Sequence, residues 1–174
     1  MEKVVALKFF LIFTILCSAL VSCVGSNANS YLGYSKSGLM DSYDSSKIRL
    51  RHLDIVNALR QEQDLITLTY SSQLNASADT HAIDISNQKR AWNFGSDASS
   101  PQERAEVSGF TGIVRGENVS ETYEGEFEVL QVWLKNSLAL RVILDNEANK
   151  IGLGWHQDLN GTIWWVQVLG QIKY

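Results

Sequence analysis

Two runs near the C-terminus, KIGLGWHQD from Lys150 and TIWWVQVLG from Thr162, flank the triplet LNG. Asn160-Gly161 between such runs is a strong hairpin signal, because a tight two-strand turn needs residues that accept positive φ. The end of the chain is therefore expected to be an antiparallel pair. Trp164 and Trp165 fall on opposite faces of the second strand, so one is expected in the core and the other more exposed.

The segments before the hairpin have a helical period. In SSKIRLRHLDIVNALRQEQ, the residues Ile48, Leu50, Leu53, Val56 and Leu59 gather on one face, with Ser45 or Ser46 available as a cap. SSQLNASADTHAIDISNQ carries a second stripe, Leu74, Ala78, Ala82 and Ile85, whose small side chains imply close packing. SPQERAEVSGF opens with Ser100, Pro101 and Glu103, a capping box with proline at the first helical position, and Gly109 closes it. TGIVRGENVS is short, glycine-punctuated and extended. EGEFEVLQVWLKNS is amphipathic through Phe127, Leu130, Trp133 and Leu134, and LALRVIL continues as a further short helix. Helices first and a hairpin last predict an α+β fold.

The N-terminus reads as a leader. Lys3 and Lys8 flank the start of FFLIFTILCSALV, a run too short for the ~20 residues of a membrane span but suited to the core of a secretion signal. It ends in Leu20, Val21, Ser22 and Cys23, which resembles a bacterial lipobox. That resemblance implies cleavage of residues 1–22 and lipid attachment at Cys23. Of the two cysteines, Cys17 lies in the leader and Cys23 at the lipid, so the remaining domain is expected to have no thiol chemistry. The Ser-, Gly- and Asn-rich stretch from Val24 completes a tether over residues 23–44. The folded domain is then 45–174, an ordinary length for one core.

Charge limits the partners. The net charge is −4, which leaves no electrostatic footprint for nucleic acid. The sequence contains no G-x-S-x-G, phosphate loop or dinucleotide fingerprint.

Taken in order, RHLDIVNALR, PQERAEVSGF, GENV, WLKNSLALRVIL, KIGLGW and WWVQVLG resemble the bacterial branch of the CAP superfamily. These are the cysteine-rich secretory proteins, antigen 5 and pathogenesis-related 1, also called SCP-like. The chain also resembles spirochaete surface lipoproteins that carry such a domain. The resemblance covers roughly Ile48 to Gly170. It implies a three-layer α-β-α sandwich with a central antiparallel sheet. It also implies a cavity where two histidines and two acidic residues can hold a divalent metal such as zinc.

By that resemblance Glu117, in GENV, keeps the first acidic slot. The first histidine slot falls at Trp92 or Asn93, and the second at Leu140 or Ala139. The second acidic slot falls near Asn136 or Ser137. None of these is a family ligand, so no metal or other cofactor is expected. An apolar residue in the second slot is expected to pack the cavity floor.

The remaining polar residues are weighed singly. Glu103 is the nearest carboxylate that could face the same cavity. Of the three histidines, His81 is the best survivor, on the small-residue helix. His52 is expected at the surface or its boundary and His156 exposed. A site rebuilt from His81, Glu103 and Glu117 is the enzymatic alternative. Structural hydrogen bonding by Glu117 is the plainer one. The sequence thus points to a lipid-anchored protein of the bacterial outer membrane or cell surface that acts by binding rather than catalysis. Its partners would be the membrane, through the lipid, and a host protein, carbohydrate or lipid. Sterol or fatty-acid binding is a further alternative. The oligomeric state is not written in the sequence.

Overall fold

The last strand of the chain decides how the layers are built. The computed structural model describes Met40 and residues 44–173; the leader and Cys23 lie outside the described residues. In order, the elements are α1 (Ser45–Gln61), β1 (Thr69–Tyr70), α2 (Ser72–Gln88), α3 (Pro101–Val107), β2 (Ile113–Glu121), α4 (Glu126–Lys135), α5 (Ser137–Ile143), β3 (Lys150–Gln157) and β4 (Ile163–Gln171). The four strands form one sheet in the order β1-β3-β4-β2. The predicted hairpin joins β3 to β4, with Trp155 opposite Trp165 and Gly161 at φ 93° in its turn. β2 pairs antiparallel to the other side of β4. The two-residue β1 adds to β3 in parallel, so the sheet is mixed at that edge.

Successive residues of a strand point to opposite faces. On β4 both faces are covered. Trp164, Val166 and Val168 pack with Leu74, Ala78, Ala82 and Ile85 of α2 and Ala105 of α3. Trp165 and Leu169 pack with Ile48 and Val56 of α1, Leu130 and Trp133 of α4, and Ile143 of α5. This is the three-layer sandwich that the resemblance implied. It also corrects the expectation for the tryptophan pair: Trp164 and Trp165 are both buried, because helices cover the strand on each side.

The small-residue stripe of α2 meets glycines on β3. A Cβ added at Gly152 would lie 2.3 Å from the Leu74 carbonyl carbon, and one at Gly154 would lie 2.2 Å from the Asp79 nitrogen. Backbone therefore packs against backbone, which positions His81 on α2 over the sheet.

The inward face of α1 differs from the expectation. Its buried residues are Ile48, His52, Val56 and Arg60, a strict four-residue step, while Leu50 is exposed. His52, expected at the surface or its boundary, is fully buried. A polar chain explains it: Gln167 Nε2 lies 2.8 Å from His52 Nε2, and Asn118 donates to both Gln167 Oε1 and the Ala139 carbonyl. The N-cap of α1 is Asp44, whose side chain makes no capping bond. Met40, within the stretch expected as tether, donates its N–H to Gln157 Oε1 at 2.8 Å and packs against the α1 side of the core. Among the described residues no helix is long and apolar enough to cross a membrane.

Candidate functional site

The α3 capping box forms as read: Ser100 accepts from the Glu103 N–H, and the Glu103 carboxylate accepts from Ser100 N–H at 2.7 Å. Glu103 is thereby spent on the helix start and sits exposed. Its neighbour Arg104 turns inward instead. Arg104 Nη1 donates to the Ser99 carbonyl at 2.6 Å. Its Nη2 donates to both Glu117 oxygens, at 2.8 and 3.0 Å.

Glu117 is brought there by β2. It pairs with Val168, so its side chain faces the α2 and α3 layer, and that side chain is 1% exposed. Asn93, in the loop after α2, donates to Oε1 at 3.1 Å and to the Glu117 carbonyl at 3.0 Å. Burial pushes the Glu117 carboxyl above the ordinary carboxylate range, and the Arg104 guanidinium and Asn93 amide oppose that push. His81 completes the group. Its Nε2 lies 2.9 Å from the Trp92 carbonyl and 3.6 Å from Glu117 Oε1. Burial lowers the His81 pKa to about 4, helped by the positive charge of Arg104. The ring is therefore neutral at physiological pH, and because a carbonyl only accepts, Nε2 carries its proton.

The structure thus brings His81, Asn93 and Glu117 together. It adds Arg104, which sequence reasoning missed; the only signal was its place beside the capping-box glutamate. Leu140 is half-buried on α5, whose Ala139 and Ile143 belong to the core on the α1 side of the sheet. Ala139, the other residue considered for that slot, is buried, and its carbonyl receives the Asn118 amide. Asn136 caps α5 by accepting from the N–H groups of Leu138 and Ala139.

This arrangement does not fit a divalent metal. The carboxylate that would ligate one already accepts from a guanidinium and an amide. The imidazole nitrogen facing it carries a proton, and the guanidinium brings a positive charge to the spot where a cation would bind. Among the described residues no group of three His, Cys, Asp or Glu side chains could hold a metal ion. Nor does a hydroxyl nucleophile hydrogen-bond to His81 among the described residues, so the pairing that activates a serine or threonine is not formed.

Comparison with known proteins agrees with the architecture. The family model described as CAP, cysteine-rich secretory protein family, matches residues 53–169. An outer surface protein from Borrelia burgdorferi superposes with a TM-score of 0.66 at 15% identity, over 75% of this chain and 96% of that one. An extracellular SCP-domain protein from Bacillus anthracis gives 0.64 at 17% identity, over 71% of this chain and 40% of that one. A cysteine-rich secretory protein from Staphylococcus aureus gives 0.60 at 12% identity, over 77% of this chain and 42% of that one. The chain therefore spans less than half of those two longer proteins. At such identities the likeness is one of fold. Comparison with curated proteins finds no match.

Proposed function

We propose that this chain, which belongs to the cysteine-rich secretory protein (CAP) family, is a lipid-anchored bacterial surface protein that acts by binding and not by catalysis. One observation carries the non-catalytic part: Arg104 occupies the Glu117 carboxylate from within the fold. A carboxylate so engaged is a poor base and a poor metal ligand, and its neighbour His81 is held neutral with Nε2 turned to a carbonyl. The alternative of a hydrolytic or metal-dependent site rebuilt around Glu117 finds no support in this geometry.

The anchoring part rests on Cys23 and the apolar leader before it. The surface assignment is supported by the fold likeness to an outer surface protein of a spirochaete. A host protein, carbohydrate or lipid would be the partner. The test is expression of the full chain beside Cys23→Ser in a diderm bacterium, with fatty-acid labelling, membrane fractionation and protease treatment of intact cells. Labelled, membrane-bound and protease-accessible wild type beside an unlabelled variant is the expected result. Equal labelling of both chains would remove the anchor from the proposal, and protection from protease would remove the outer surface.

A further inference from the structure

The face of α2 that carries His81 looks onto a cavity of about 580 Å³, bounded on its other sides by the loop before α3 and by α3 itself. Its volume lies within the ~300–1,000 Å³ usual for small-molecule pockets. Three of the residues lining it, Ser77, His81 and Arg104, each bury a polar side-chain atom that has no hydrogen-bond partner. Ser77 and His81 are 1% and 0% exposed, and they stand one turn apart on the same side of α2.

The three atoms have defined chemistry. His81 Nε2 is committed to the Trp92 carbonyl, which leaves Nδ1 as a bare acceptor. That edge of the ring is the one towards Asp84, which also lines the cavity, with Nδ1 3.9 Å from Asp84 Oδ2. The Arg104 Nη groups are committed to Ser99, Asn93 and Glu117, which leaves Nε–H as a donor. Ser77 Oγ can do either. One acceptor, one donor and one hydroxyl are the complement of a group that both donates and accepts, namely an alcohol.

Other ligand classes fit worse. Asp84, Asp97 and Glu103 line the cavity against a single guanidinium that Glu117 already neutralises, so an anion is repelled. Those carboxylates accept from Ser96, Ser99 and Ser100, so they do not form an open cage for a cation. Only Ala98 and Val107 among the lining residues are apolar, too little hydrocarbon for an acyl chain.

We propose that this cavity binds a neutral, hydroxyl-rich ligand, a saccharide unit, whose hydroxyls reach His81 Nδ1, Arg104 Nε–H and Ser77 Oγ, which lie just behind the cavity wall, through a small shift of the side chains that cover them. The proposal rests on the binding reading above and names its ligand class.

The test is nuclear magnetic resonance of the ¹⁵N-labelled full chain in detergent. It is titrated with glucose, galactose, N-acetylglucosamine and their β-linked disaccharides, with inorganic phosphate as the anion probe. A saturable shift of the Arg104 Nε–H signal with at least one saccharide, and none with phosphate, is expected. Ser77→Ala removes a hydroxyl that has no partner in the fold, so it leaves the protein folded. It should weaken binding about five-fold, the loss of one neutral hydrogen bond. Thr80→Trp, from an exposed helix position at the cavity, should abolish the shift.

No shift with any saccharide, or a shift with phosphate, overturns the ligand class and leaves the general binding reading standing. Cleavage of a disaccharide, visible in the same spectra, overturns the non-catalytic reading while supporting a saccharide site.

Discussion

Arg104 holds Glu117 through a single nitrogen, Nη2, which lies 2.8 Å from Oε1 and 3.0 Å from Oε2. The positive charge beside this carboxylate is supplied by the chain itself. A calorimetric zinc titration of the full chain at neutral pH is expected to give no saturable heat at micromolar metal. Saturable heat that disappears in Glu117→Gln would mean the ion pair opens for the metal.

The same pair sets a stability prediction. The Glu117 side chain is 1% exposed and that of Arg104 10%. Removing one partner of a buried pair strands the other charge, at a cost of roughly 3–5 kcal/mol. Arg104→Met should therefore unfold at much lower denaturant concentration than wild type. The double variant Arg104→Met, Glu117→Gln should recover most of the loss. If the double variant is no more stable than the single one, the cost is packing and not charge.

His52 and His81 make stability depend on acid. Burial is the first cause in both, and each pKa is lowered from 6.5 to about 4. The unfolded chain takes up a proton below about pH 6.5 that the native state refuses, so the unfolded state holds more protons. This stability is intact above pH 6.5 and is lost as pH falls towards 4, by at most about 3 kcal/mol for each ring. Asp79 and Glu117, whose carboxyls burial pushes up, act with the opposite sign in this window, so the comparison must be between variants. His52 is the cleaner probe. Gln167 donates to its Nε2 while accepting from Asn118, and protonation would set two donors face to face. Denaturant unfolding of wild type and His52→Gln from pH 7 to pH 4 should show their stability difference shrinking as acid is added. A constant difference would mean His52 does not titrate in that window.

Local signals carried most of the fold. The Asn160-Gly161 turn, the Ser100 capping box and the apolar stripe of α2 each depend on residues a few positions apart, and each appears where the sequence puts it. The candidate site was legible only in part. Glu117 and Asn93 stood out as family positions and His81 as the best surviving histidine, but what they do depends on Arg104, a partner set by tertiary packing. His52 and Arg60 were misread or overlooked for the same reason, since their partners lie 115 and up to 88 residues away. A signal did exist. Ile48, His52, Val56 and Arg60 repeat at a strict four-residue step, which outweighed the wider stripe that included Leu50.

Gly154 tests the contact that seats α2 on the sheet. Its added Cβ would lie 2.2 Å from the Asp79 nitrogen and 2.4 Å from the Ala78 carbonyl carbon. Both are helix backbone, which cannot swing aside as a side chain would. Overpacking of a core usually costs ~1–3 kcal/mol, and more where backbone must move. Gly154→Ala is therefore expected to lose about 3 kcal/mol or more. Gly161→Ala lies in the open turn with nothing within 4 Å of its Cβ, but at φ 93°, and should lose only ~1–2 kcal/mol through strain. Thermal unfolding of both variants should rank Gly154→Ala clearly below Gly161→Ala. The reverse order would mean that α2 does not pack this closely on β3.

Arg60 anchors the α1 layer through its side chain. It is fully buried. Its guanidinium donates to four backbone carbonyls: Ile66 at 2.9 Å, Ile143 at 2.8 Å, Asp145 at 2.9 Å and Ala148 at 3.1 Å. These join the end of α1 to the end of α5 and the approach to β3. The planar fork matters more than the charge, because lysine has three donors on one atom and cannot span those positions. Burial pulls the Arg60 pKa down, with Asp145 opposing. Arg60→Lys is expected to cost about 2–6 kcal/mol, since two buried carbonyls lose their donors at ~1–3 kcal/mol each. Arg60→Met should cost at least as much despite its good packing volume. Hydrogen exchange would localise the effect: the amides of residues 143–148 should lose protection first, with β4 protected to the global limit. If Arg60→Lys keeps wild-type stability and wild-type exchange in that segment, the fork is not what fixes the α5 end.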